Sequence, residues 1–175
     1  MANPKTPIVL NMKDLVIVKP SKPAPPELLA LSTIDSDPVL NILYPSHVIK
    51  EALSKAFVYY YPLAGKIVTF DDGKLGINCN VDGIPFLEAT ANYELSSLHY
   101  LEGIDVPTSQ KLVFDDDNPN NSHDHPLVFK VTKFLCGGFT LGMGLSHSVC
   151  DGFGAYKFFR ALAKLASTVE KVSHQ

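Results

Sequence analysis

The chain reads as an α/β (α+β) domain with a mixed central sheet flanked by helices. Three observations predict this. Short β-branched runs alternate with segments of helical period along the 175 residues. Two apolar runs near the C-terminal end, residues 127–134 and 139–145, are joined by a glycine turn at Cys136-Gly137-Gly138 and read as paired strands. Directly after them Tyr156, Phe159, Ala163 and Ala166 give one further segment an apolar helical stripe.

Taken in order, Ile8-Val9-Leu10 and Leu15-Val16-Ile17-Val18 predict an opening strand, because β-branched side chains suit a pleated, half-buried surface. Four prolines between Pro20 and Pro26 then exclude both helix and ladder and predict an extended connector. Residues 28–35 end in polar residues suited to a turn. From Ser46 the period changes: Val48, Ala52, Leu53, Ala56, Phe57 and Tyr60 share a helical face, with Ser46 as N-cap. Pro62 and Gly65 are expected to end that helix. Strands follow around residues 66–70, 75–80 and 86–91, the first two joined by Asp71-Asp72-Gly73 as a hairpin. The polar residues 115–125 predict a solvated loop.

Composition limits the function. With 46% hydrophobic and 19% charged residues and a net charge of −3, the chain has the make-up of one soluble globular core and is short for two full domains. No lysine/arginine stripe or aromatic signature suits nucleic acid. No segment is long and apolar enough to span a bilayer, and the first residues, Met1 to Pro7, lack an apolar signal core. Cys79, Cys136 and Cys150 are odd in number and widely spaced, which predicts reduced, buried thiols, and the compartment expected is the cytoplasm.

The most informative stretch is Ser146-His147-Ser148-Val149-Cys150-Asp151-Gly152, where an apolar strand hands a histidine to a turn and a helix. Imidazole titrates near neutrality and is the commonest general base, provided that rigid structure holds it. Lone histidines are more often satisfied core residues. Here glycines at 142, 144, 152 and 154 surround His147, and glycine inside a strand is costly unless something approaches the backbone closely. Gly152 stands where the chain must turn into the helix. Asp151 either orients the imidazole, as the acid of a hydrolytic triad does, or makes a structural ion pair and leaves the histidine to a backbone carbonyl; its place beyond the turn favours the second. Ser146 adjoins His147, so on a strand it faces the other way and is not that histidine's nucleophile. Cys150 has no cationic neighbour to activate its thiol and is read as packing. No metal site is expected: His123-Asp124-His125 lacks further ligands at familiar spacing, and Asp115-Asp116-Asp117 lacks the glycine and glutamate of a calcium loop.

Four segments together resemble one family. His147-Ser148-Val149-Cys150-Asp151-Gly152 matches the H-x-x-x-D-G motif of the plant BAHD acyl-CoA-dependent acyltransferases, and Tyr60-Tyr61-Pro62-Leu63-Ala64-Gly65 resembles their Y-Y-P-[LF]-[AS]-G turn. Leu31-Ser32-Thr33-Ile34-Asp35 is similar to their L-S-x-[IL]-D segment, and residues 131–139 to the strand pair before the histidine. The texture around Ala89 to Leu98, and Gly142-Met143, most resembles the spermidine hydroxycinnamoyltransferase branch.

The resemblance implies a chloramphenicol-acetyltransferase-like N-terminal domain, with residues 1–175 as a single domain equivalent to the N-terminal half of such an enzyme. It implies His147 as general base in a ternary complex, Asp151 and Gly152 as structural members of the motif, and Ser32, Thr33 and Asp35 as pocket residues. Acyl-CoA would be the co-substrate, with no bound cofactor, and a polyamine such as spermidine or an alcohol the acceptor of a hydroxycinnamoyl group. The sequence departs from the family in two respects. The D-F-G-W-G signature and the C-terminal half that supplies much of the CoA contact are absent, and residues 37–45 run almost directly into the first helix where a further strand is usual. The expectation is therefore either a half-enzyme that self-associates or is complemented by a C-terminal half through an exposed apolar face, or a truncated, non-catalytic binding or regulatory homologue.

Overall fold

The computed structural model describes residues 9–13, 15–23, 44–80, 82–113 and 124–173. Two short strands open the fold, β1 (Leu10–Met12) and β2 (Val16–Val18). They lie end to end along one edge of β5 (Ile84–Ala91), β1 opposite Ala89–Ala91 and β2 opposite Ile84–Phe86, both antiparallel. β6 (Leu127–Lys133) runs parallel to β5, and β7 (Phe139–Leu145) returns antiparallel to β6. β3 (Lys66–Thr69) and β4 (Leu75–Asn78) form a separate hairpin, whose turn uses Gly73 at φ +80°. The mixed sheet agrees with the α/β class expected. The single opening strand expected is two.

One face of the sheet carries the main core. Ile84 and Phe86 of β5 and Leu127, Phe129 and Val131 of β6 project toward a helix layer, as alternation along a strand requires. That layer consists of α1 (Pro45–Ala56) and α3 (Gly152–Ser173), packed against each other. α1 contributes Val48, Ile49, Ala52, Leu53 and Ala56; α3 contributes Phe158, Leu162, Ala166 and Val169 at helical spacing. Phe158 anchors an aromatic group, with ring centroids 6.2 Å from Phe57, 5.1 Å from Tyr60 and 6.4 Å from Phe129. The apolar stripe of α3 thus differs in part from the one expected: Tyr156 is 56% exposed, and Phe158 takes the core position.

The start and end of α1 also differ from expectation. Pro45 occupies the first turn, where its fixed φ and missing N–H cost nothing, so Ser46 lies inside the helix, buried, and Tyr44 is the capping position without a side-chain bond. The helix ends at Ala56, well before Pro62, and Tyr61–Ala64 form a 3-10 turn. Tyr60 therefore reaches the core from this connection and not from the helix.

The opposite face of the sheet carries an element that the sequence reading missed. α2 (Val106–Leu112) starts at Asp105, whose carboxylate accepts the Thr108 amide at 2.8 Å, with Pro107 in the first turn. Leu112 joins Ala91 and Phe134 in a second apolar cluster. Buried Lys130 projects from β6 to this side and donates to the Lys111 carbonyl at 2.6 Å, satisfying the C-terminal end of α2. Gly142 is opposite Lys130 in the ladder. A Cβ there would collide with the Leu112 carbonyl and lie 2.9 Å from the Val113 Cα. The strand glycine is the space into which α2 packs.

The cysteines are free but not buried: Cys79 and Cys136 are exposed and Cys150 half-buried. Among the described residues no helix is long and apolar enough to cross a membrane.

Candidate active site

The β6–β7 ladder runs from Leu127–Leu145 to Lys133–Phe139 and is prolonged by one further bond, from the Ser146 amide to the Pro126 carbonyl at 2.8 Å. The chain then closes a tight turn in which the amides of Val149 and Cys150 both donate to the Ser146 carbonyl, at 3.0 and 3.2 Å. His147 sits on this turn, exposed, and both sides of it are tied to the sheet or to itself. A side chain so placed has a fixed backbone and an open approach, which is what a base acting on a bound molecule needs.

The neighbours divide the labour. The Asp151 carboxylate accepts the Gly154 amide at 2.7 Å and so caps α3. The Ser146 and Ser148 hydroxyls bond each other at 2.7 Å. Burial, and then the Asp151 charge, push the Cys150 thiol up, against a nucleophilic role. Tyr60 meets this turn from the other motif: its hydroxyl donates to the Lys157 carbonyl at 3.5 Å, and burial and then Cys150 raise it. The Y-Y-P-L-A-G and H-x-x-x-D-G segments, far apart in sequence, are thereby one structural unit around the N-terminal end of α3.

The expected steric demand at Gly152 is absent. It is the first residue of α3, a Cβ there would meet nothing within 4 Å, and its φ lies outside the left-handed region. The constraint falls on Gly154, where a Cβ would stand 2.6 Å from the Cys150 sulfur. The ion pair expected of Asp151 is not found among the described residues: its carboxylate is taken up by the Gly154 amide at the start of the helix.

Ser32, Thr33 and Asp35 lie outside the described residues, as do His123, Asp115, Asp116, Asp117 and the stretch before Tyr44 in which a strand was expected to be missing. His125, read as part of a solvated loop, is half-buried, and burial, then Lys66, hold its imidazole below the usual range.

A mixed sheet layered with helices, with the tethered histidine turn at the end of its edge strand, defines an α/β domain with an exposed imidazole. The crystal structure of vinorine synthase superposes on it with a TM-score of 0.68 over 90% of this chain and 43% of that one, at 24% identity, which establishes the chloramphenicol-acetyltransferase-like fold. The Transferase family model matches residues 9–175, and the chain belongs to that family, the BAHD acyltransferases. Among its relatives, the spermidine coumaroyl-CoA acyltransferase of Arabidopsis thaliana is 40% identical over 188 positions, covering 95% of this chain and 41% of the relative. The taxadien-5-alpha-ol O-acetyltransferase of Taxus chinensis is 38% identical over 189 positions, covering 97% and 43%. The chain spans less than half the length of these relatives.

Proposed function

We propose that this chain carries the general-base half of an acyl-CoA-dependent acyltransferase, corresponding to the N-terminal half of its relatives. It would transfer a hydroxycinnamoyl group to a polyamine such as spermidine, or to an alcohol. The observation that carries the reading is the placement of His147 on a turn fixed by the Ser146–Pro126 hydrogen bond, exposed at the end of β7. The similarity to a spermidine acyltransferase favours the polyamine, and the similarity to an O-acetyltransferase keeps the alcohol in view.

In this mechanism the acceptor nitrogen or oxygen attacks the thioester carbonyl while the His147 imidazole takes its proton. The tetrahedral intermediate collapses, the C–S bond breaks, and the imidazolium returns the proton to the departing CoA sulfur. Atoms and charge balance without an acyl-enzyme. Such proton transfer contributes typically ~10²–10⁴-fold, and the ternary complex adds the advantage of proximity. Asp151 holds the helix start and takes no proton; Gly152 is the first residue of that helix; Ser32, Thr33 and Asp35 are proposed to line the acceptor side. Cytoplasmic location fits soluble substrates of this class. The test is steady-state thiol release from p-coumaroyl-CoA with and without spermidine. Release that requires spermidine supports the reading, and release unchanged in His147→Ala overturns the base assignment.

A further inference from the structure

Ser146 is no nucleophile for His147, yet it is the hub of the histidine turn. Its amide donates to the Pro126 carbonyl at 2.8 Å, and its carbonyl accepts the amides of Val149 and Cys150 at 3.0 and 3.2 Å. Its hydroxyl lies 2.7 Å from the hydroxyl of Ser148. Every polar group of the residue is therefore used. The flanks of the turn are fixed on one side by the β6–β7 ladder. On the other side Val149 packs against the main core and Asp151 starts α3.

The apex is held differently. Among the described residues the amides of His147 and Ser148 make no backbone hydrogen bond, and the His147 imidazole has no hydrogen-bond or ion-pair partner. A general base works only while its nitrogen stays within reach of the proton it takes, and a misplacement of about 1 Å can cost about 10²-fold. In a hydrolytic triad a third group on the ring supplies that control. Here the acid of the motif is occupied by the Gly154 amide, so the control falls on the backbone that carries the imidazole. The hydroxyl pair closes that backbone. It joins the residues on either side of His147, and it is the one hydrogen bond that Ser148 makes among the described residues. A bond between residues i and i+2 closes a small ring and restricts the two soft dihedrals of the residue between them.

We propose that the Ser146–Ser148 hydroxyl pair is a clamp that positions His147, so that both serines are positioning residues for its proton transfer. The clamp needs a hydroxyl at each end: one donates, the other accepts, and loss of either opens it. The role requires no contact between either serine and the substrate. The clamp rests on the geometry of the turn; only the chemistry it serves rests on the acyl-transfer reading.

Two measurements on the whole chain test it. The first is backbone nitrogen relaxation by NMR in the parent, Ser146→Ala, Ser148→Ala, the double variant and Ser148→Thr. The His147 order parameter in the parent is expected to match that of β7, about 0.85, and to fall toward about 0.6 in every alanine variant while β7 keeps its value. Ser148→Thr retains a hydroxyl and is expected to restore it. An order parameter at His147 that is already low in the parent, or that either single alanine variant leaves unchanged, overturns the clamp.

The second measurement is thiol release from p-coumaroyl-CoA with spermidine. In each single alanine variant kcat is expected to fall about two- to tenfold, the size of one hydrogen bond, with KM for the thioester unchanged. The double variant is expected to lose no more than either single one, because the two hydroxyls act as a unit. A merely structural role would lower the urea midpoint and leave kcat per folded molecule as it was. Turnover unchanged in both single variants, or losses that add in the double variant, overturns the positioning role. A parent that releases no thiol counts against the acyl-transfer reading alone, and the relaxation result then decides the clamp.

Discussion

The Asp151 carboxylate accepts the backbone amide of Gly154 at 2.7 Å, so the acid of the His147 motif is the N-cap of the helix that follows. The motif is a histidine held at the end of one element and an aspartate that starts the next. Its spacing is that of a turn plus a cap.

Asp151→Ala is accordingly expected to lower stability by about 1 kcal/mol, within the usual range for loss of a cap. Asp151→Asn should melt close to the parent, because asparagine caps as well as aspartate does. Both are read by urea unfolding. If Asp151→Ala loses no stability, the cap is not what the residue contributes; if Asp151→Asn keeps stability and loses all turnover, the carboxylate acts in the chemistry.

Gly142→Ala is expected to cost about 1–3 kcal/mol, since its methyl group enters the space of the Leu112 carbonyl and forces α2 off the sheet. Gly152→Ala, in open space at a helix start, should be neutral or stabilising by up to about 1 kcal/mol. The two midpoints measured side by side decide it, and equal midpoints would contradict the packing described for α2.

How far the sequence carried depends on what kind of signal each element has. The β6–β7 pair was legible because its apolar runs are long and its glycine turn unambiguous, and the His147 motif because residue type and order are themselves the signal. α2 was missed although Asp105-Val106-Pro107 is a cap followed by a helix-starting proline; it is short, and half of its reason to exist is the notch at Gly142, which is tertiary. Ser46 misled because a serine before a helical stripe looks like a cap, while Pro45 had already taken the first turn. Period alone places Tyr156 in the core, where the structure has Phe158 two residues on, while Phe159 and Ala166 of the expected stripe do pack there.

Among the described residues, Glu88 and His125 contribute to the pH dependence of stability in different windows. Burial would raise the Glu88 carboxyl, but the Lys50 ammonium at 2.8 Å and Lys13 at 3.6 Å outweigh it and hold it below 4.5. That stabilisation is present above 4.5 and is lost as pH falls through the lower folded value. His125 is held below 6.5 by burial and Lys66, so between 6.5 and its lower folded value the unfolded chain takes up a proton that the fold refuses. Stability should fall as pH drops below 6.5 and level off beneath the folded value. Urea midpoints from about pH 7 to about pH 5 should decline in the parent, and His125→Gln should remove part of that decline. An identical slope in the variant would contradict the assignment.

Lys130→Met is expected to destabilise by about 1–3 kcal/mol, because the Lys111 carbonyl at the end of α2 loses its buried donor while the stem volume is kept. Hydrogen exchange should show α2 opening first and the β6–β7 ladder unaffected. Uniform loss of protection across both would place the role of Lys130 elsewhere.

The central claim is that His147, fixed at the end of β7, is the base for acyl transfer. Thiol release from p-coumaroyl-CoA in the presence of spermidine, compared between the parent and His147→Ala at equal folded fraction, tests it most directly. A loss of at least about 10²-fold in turnover with little change in melting is expected, since an exposed side chain contributes little packing. Turnover retained in His147→Ala would contradict it.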